Sequence, residues 1–252
     1  MTLVSWASAR LGVDRKGSSV FRRQRFKIFL ELVDEVLSQR GTCRILDIGG
    51  EIEYWSKVWD LIGDRNIQVT LVNLTAVDVD IDSARFSSVA GDARDLSWLA
   101  DLSFDIVHSN SVIEHVGRWQ DMLAMAREVR RLAPAYYVQT PYFWFPIDPH
   151  CSTAFFHWLP EPVRLSMLLR KPRGHWGMAP DVNTAMGQIQ SADLLDIRTM
   201  SALFPDATIQ HERVAGLTKS LIAIRRSTEC GVRPHYPDES RVPNALHSHL
   251  SA

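Results

Sequence analysis

Apolar residues recur at helical spacing from about Val20 to Gln39, through Phe21, Phe26, Phe29, Leu30, Leu32, Val33, Val36 and Leu37, and Gly41 follows the run. This pattern predicts a helix covering a sheet edge. Beyond it, short apolar runs alternate with amphipathic stretches. Arg44–Ile48, Ile67–Asn73, Phe86–Ala90, the run from Phe104 and Ala135–Thr140 read as buried strands. Met122, Leu123, Ala126, Val129 and Leu132 form the apolar stripe of a helix from Trp119 to Leu132, and a further helix is expected from a Ser191-Ala192-Asp193 cap to about Leu203. Ala207–Gln210 and Leu217–Ile224 read as late strands at an antiparallel end of the same sheet. Strand–helix alternation of this kind predicts an α/β fold.

Two stretches break the alternation. Pro141 stops the fifth strand, and Tyr142-Phe143-Trp144-Phe145-Pro146-Ile147-Asp148-Pro149-His150 follows. Prolines and aromatics this dense cannot continue a central strand, so residues 141–182 are expected to form an apolar insertion with a basic rim of Arg164, Arg170, Lys171 and Arg173. After Arg226 the chain turns polar, with Pro234, Pro237 and Pro243, and reads as a loosely held tail over 227–252. Residues 1–226 are then one domain, its first 17 residues peripheral.

Candidate chemistry begins where the first strand ends, at Asp47-Ile48-Gly49-Gly50-Glu51. A buried parallel strand that ends in a glycine turn before a helix lets a cofactor approach the backbone. Glu51 and Glu53 make a dinucleotide unattractive there, because carboxylates would face a pyrophosphate. A sulfonium and an ammonium tolerate nearby acid.

The stretch resembles the first motif of class I S-adenosylmethionine-dependent methyltransferases, an acidic residue one before Gly-x-Gly-x-Gly. Asp47 and Gly49 match, while Glu51 and Glu53 replace the later glycines. The resemblance runs from Arg44 to about Ile224 and is to the small-molecule, type 11-like branch. It implies a Rossmann-like seven-stranded sheet with helices on both faces, a substrate cap inserted after the fifth strand, and S-adenosylmethionine as cofactor. It places Asp47, Gly49, Gly50 and Glu51 beside the methionine part and Asn73 at the ribose, where the family carries an acid; Asp78 or Asp80 could assist. Gly91-Asp92-Ala93 resembles the adenine turn, with Asp92 accepting the exocyclic amine. Ser109 and Asn110 would line the methionine end.

His115, in the Glu114-His115 pair common in this branch, would face the acceptor and serve as general base; fixing its loop is the alternative role. Glu114 is read as orienting a backbone group or that histidine. Tyr142, Trp144, His150, His157 and Trp158 are the expected acceptor wall, with His150 and His157 as further candidates for catalysis. His150, Cys151 and His157 lack a recognisable fourth ligand, so no metal is expected.

Composition narrows the partners. The 252 residues are 46% hydrophobic and 23% charged with a net charge of -1, which supplies no bulk cationic footprint for nucleic acid. The three cysteines form no disulfide framework and suggest a reducing, cytoplasmic setting, and no run is long enough to span a bilayer. A small-molecule acceptor is the expected partner, methylated on oxygen; the apolar cap would equally suit a lipid-like acceptor, a peripheral membrane face or a homodimer contact. Two other classes stay open: a catalytically weak cofactor-binding interaction protein, favoured by Glu51, Glu53 and Asn73, and an RNA or protein methyltransferase using the basic rim.

Overall fold

The computed structural model describes residues 18–79, 82 and 84–227. The expected peripheral segment 1–17, Asp80, Cys230 and nearly all of the expected tail therefore lie outside the described residues. The elements run α1 (Ser18–Arg40), β1 (Cys43–Ile48), α2 (Ile52–Ser56), α3 (Trp59–Ile62), β2 (Ile67–Asn73), β3 (Phe86–Ala90), β4 (Ile106–Asn110), α4 (Trp119–Leu132), β5 (Ala135–Pro141), β6 (Ile147–Asp148), β7 (Thr153–Ala154), α5 (Glu161–Leu168), α6 (Val182–Ile189), α7 (Ile197–Leu203), β8 (Thr208–Val214) and β9 (Leu217–Arg225).

Seven strands form one sheet in the order β3-β2-β1-β4-β5-β9-β8. The first five are parallel; β9 runs antiparallel to β5, and β8 to β9. From β1 the chain works outward through β2 and β3, then crosses back to β4. The carboxyl ends of β1 and β4 flank that reversal, where open α/β sheets leave a ligand crevice.

Period-two alternation assigns the faces. Cys43, Ile45, Val69, Leu71, Ile106 and Tyr137 pack on one side with Phe26, Phe29 and Val33 of α1 and with Trp55. Leu46, Ile48, Val72, Val107 and Val138 face α4 and α7 on the other. The stripe read for α1 is thus real, and it covers a sheet face rather than only an edge.

The expected insertion is a substructure with its own small core of Cys151, Phe156, Leu168, Ala179, Ala185 and Ile189. Because Ala185 and Ile189 belong to α6, the packed unit runs past residue 182. Asp181 caps α6 by accepting from the Thr184 amide at 2.7 Å, an Asp-x-x-Thr signal that the sequence carried. The expected cap at Ser191–Asp193 is corrected: α7 starts later, and Asp196 caps it, accepting from the Thr199 amide at 2.9 Å. Residues 192–195 instead run alongside the cap loop, with the Phe143 amide donating to the Leu195 carbonyl at 2.9 Å. Among the described residues, no helix is long and apolar enough to cross a membrane.

Candidate active site

The β1–α2 turn is shaped by contacts that leave no space for side chains. Gly49 has a φ of 71°, and a Cβ on it would lie 2.4 Å from a Val112 methyl carbon; one on Gly50 would lie 2.1 Å from Asp47 Oδ2. Glu51, in place of the family's next glycine, adopts an ordinary extended conformation (φ -109°, ψ 133°), so the turn accommodates its side chain. Glu53 sits outside, paired with Lys57.

Asp47 is 1% exposed. Strand register sets it directly across from His108, whose Nδ1 donates to Asp47 Oδ1 at 2.6 Å, while Trp55 Nε1 donates to Oδ2 at 2.7 Å. The acid of the motif therefore ties β1, β4 and α2 together beneath the turn. Its first partners are protein groups.

Two cavities meet at Gly49. One, of about 340 Å³, is bordered by Arg22, Arg25, Asp47, Gly50, Glu51, Tyr54, Lys57, His108, Asn110 and Ser111. Its mixed charge suits an amino-acid zwitterion: carboxylates of Asp47 and Glu51 toward an ammonium, guanidinium groups of Arg22 and Arg25 toward a carboxylate. The other, of about 350 Å³, is bordered by Val72, Asn73, Leu74, Gly91, Asp92, Ala93, Arg94, Val112, His115 and Val116. It offers apolar surface for a planar base, with polar groups at its rim.

Most of the expected cofactor contacts converge on these two spaces. Ser109 is the exception: it is fully buried and borders neither cavity. Asp78 is exposed and likewise borders neither. Asn73 Nδ2 donates to the Gly50 carbonyl at 2.8 Å, so the amide anchors the glycine turn as well as facing the cavity. Asp92 is engaged by Arg94, whose guanidinium and amide donate to it and hold its carboxyl below the usual range.

A third cavity of about 170 Å³ opens beside the first, sharing Arg25 and Ser111 with it. Gln139, Pro141, Tyr142, Phe145, Ile147, Pro149, Lys219 and Ser220 complete its wall. Tyr142 thus stands where acceptor contact was expected. Trp144 and Trp158 border none of these cavities; their rings lie 5.9 Å apart on the outside of the cap, 55% and 37% exposed, and Trp158 Nε1 donates to the Phe143 carbonyl. The small core of the insertion includes neither of them.

His115 borders the 350 Å³ cavity, while His150 and His157 border a fourth, of about 90 Å³, under the cap. None of the three borders the 170 Å³ space. His157 Nε2 donates to the Phe143 carbonyl at 2.7 Å, and burial lowers its pKa. Cys151 is fully buried in the small core, away from any shared ligand position with the two histidines.

Sequence reasoning missed Arg22, Arg25, Tyr54, His108 and Lys219 as site residues. The run Arg22-Arg23-x-Arg25 was visible, but Arg23 pairs outward with Asp60, and only the seating of α1 shows which arginines turn inward.

Residues 46–134 match the model of the family described as methyltransferase domain. No curated protein matches the chain. Among solved structures, a SAM-dependent methyltransferase from Archaeoglobus fulgidus is 12% identical over 89% of this chain and 99% of its own, with a TM-score of 0.49. The N-terminal domain of EvdMO1, solved in the presence of SAH and D-fucose, is 16% identical over 81% and 82%, with a TM-score of 0.46. The [4+2]-cyclase SpnF is 22% identical over 46% of each chain, with a TM-score of 0.34, so this chain spans under half the length of that one. Likeness at this level carries no information on the acceptor.

The matched segment begins within β1 and ends just before β5, and the sheet order sets the cavities at the β1–β4 crevice.

One consequence concerns Asn73. A carboxylate there, as the family pattern has it, would gain a ribose acceptor but set an oxygen against the Gly50 carbonyl that the amide now holds. Asn73→Asp is expected to weaken S-adenosylhomocysteine binding about tenfold, roughly the value of one hydrogen bond turned into a repulsion. Calorimetry reads it; equal or tighter binding would show that the ribose contact outweighs the anchor.

Proposed function

We propose that the chain transfers the methyl group to an oxygen of a small hydroxylated molecule, a phenol-like ring foremost. The 170 Å³ cavity carries this reading: it adjoins the methionine-side cavity through Ser111 and Arg25, and Pro141, Tyr142, Phe145, Ile147 and Pro149 give half of its wall an apolar character. Its size suits one small ring and not a nucleotide in a strand or a folded protein segment.

S-adenosylmethionine supplies an activated methyl on a sulfonium. The protein's part is alignment for in-line attack and exclusion of water. Arg25 and Lys219 add cationic character to the acceptor wall, though Arg25 is also paired with Glu212 at 3.0 Å. Positive potential favours the ionised form of a hydroxyl, so an acidic hydroxyl can react after losing its proton to solvent.

The test is incubation with methyl-labelled S-adenosylmethionine and fractionated small-molecule pools, followed by mass identification of the labelled product. Label in a small molecule is expected. Label in RNA or protein alone would refute the reading. With the acceptor in hand, Tyr142→Ala should raise its KM about tenfold by removing half-buried apolar wall, and leave S-adenosylhomocysteine affinity unchanged.

A further inference from the structure

Three side chains under the cap, unused by this reading, converge on one point. Glu114 and His115 lie in the short 3-10 turn Ile113–His115 after β4, and His150 comes from the insertion. One ligand atom from each lies within 4.8 Å of the other two. Glu114 is 1% exposed; its Oε2 accepts from the Thr140 hydroxyl at 3.0 Å, and its Oε1 is buried with no hydrogen-bond partner. A buried carboxylate oxygen left bare beside two imidazoles is a costly arrangement unless something cationic completes it.

The outer contacts of both imidazoles are already in place. His115 Nδ1 donates to the Ser191 carbonyl at 2.6 Å, and His150 Nδ1 to Asp148 Oδ1 at 3.0 Å. Each ring thereby carries its proton on Nδ1 and presents an Nε2 lone pair, as metal-ligating histidines do when a carbonyl or carboxylate orients them. These contacts are built in. The Asp193 amide donates to the Glu114 carbonyl at 2.7 Å and brings Ser191 alongside, and the His150 amide donates to Asp148 at 2.8 Å. The two rings meet edge to face, their centroids 4.9 Å apart.

We propose that Glu114, His115 and His150 bind one divalent first-row transition ion. Two imidazoles and one carboxylate favour zinc, cobalt, manganese or iron over calcium or magnesium, and leave coordination positions open to water or to an oxygen ligand. Because His150 belongs to the insertion and Glu114 and His115 to the turn that follows β4, the ion clips the cap to the central sheet's crevice. In the loaded protein the His115 lone pair is a metal ligand and is no longer available as a base.

Cobalt(II) alone is the probe, titrated into untagged protein stripped with chelator and followed by its visible ligand-field bands. One equivalent is expected to bind saturably. His150→Ala should weaken binding at least 100-fold, and Asp148→Asn, which touches only the orienting contact, by about 10–100-fold. S-adenosylhomocysteine affinity, measured in parallel, should change less than twofold in His150→Ala and reports that the fold survives. His115→Gln, at an exposed position, gives a second test independent of packing. No saturable binding by the native protein, or binding that survives both His150→Ala and His115→Gln, overturns the site. None of these readouts depends on methyl transfer, so the outcome stands apart from that of the labelling experiment.

Discussion

Asp47→Ala is expected to lower the unfolding free energy by about 2–6 kcal/mol and to abolish measurable S-adenosylhomocysteine binding. Two buried donors lose their acceptor at once: His108 Nδ1, now 2.6 Å from Oδ1, and Trp55 Nε1, now 2.7 Å from Oδ2. Both side chains are almost fully buried, so water cannot replace the carboxylate without a cavity opening. Each stranded donor costs about 1–3 kcal/mol. Binding is lost as well, because Trp55 positions α2 against the turn and Asp47 itself borders the methionine-side cavity. Asp47→Asn separates the contributions: its amide oxygen satisfies one donor while its NH₂ opposes the other, and about half the destabilisation should remain. Chemical denaturation and calorimetry measure the pair. An alanine variant as stable as the native protein would show that the three-residue junction does not hold the crevice.

The second large effect is at Gly49. An alanine there must adopt a φ of 71° and place its Cβ 2.4 Å and 2.8 Å from the γ-carbons of Val112. The left-handed conformation alone costs about 1–2 kcal/mol, and the clash must be relieved by moving either the turn or the β4 loop. Both border the cofactor cavities, so Gly49→Ala should weaken S-adenosylhomocysteine at least 100-fold, about 2.7 kcal/mol. Adding Val112→Ala removes the clash but not the conformational cost, and should restore binding to within about 10–30-fold of native. A double variant no better than the single would locate the penalty wholly in the backbone. Native affinity in Gly49→Ala would mean the turn is free to relax and is not part of the cradle.

Much of the scaffold was legible because its causes are local. Ile67–Asn73, Phe86–Ala90 and Trp119–Leu132 have the bounds that their apolar periodicity predicted, since each buries one continuous run or stripe. The α7 start was misplaced because Ser191 and Asp193 are good capping residues in isolation. Contact with Glu114 and with the loop around Phe143 draws that segment away from helix. Trp144 and Trp158 were placed at the acceptor by the resemblance and the position of the insertion, yet their rings lie 5.9 Å from one another and border none of the four cavities described.

By itself, the sequence determined the α/β alternation, the glycine turn after Asp47, the positions of Asn73 and Asp92 at strand ends, and an insertion after the fifth strand. These follow from periodicity, turn chemistry and the geometry of parallel strands, which act over a few residues. Only the tertiary structure decided which polar groups share a space. Arg22 and Arg25 from α1, His108 from β4 and Lys219 from β9 are far apart in the chain, and Glu114, His115 and His150 meet only because the cap folds back over the end of β4. Such convergence depends on strand order and helix seating, set by burial across the whole sheet, and local pattern does not encode it.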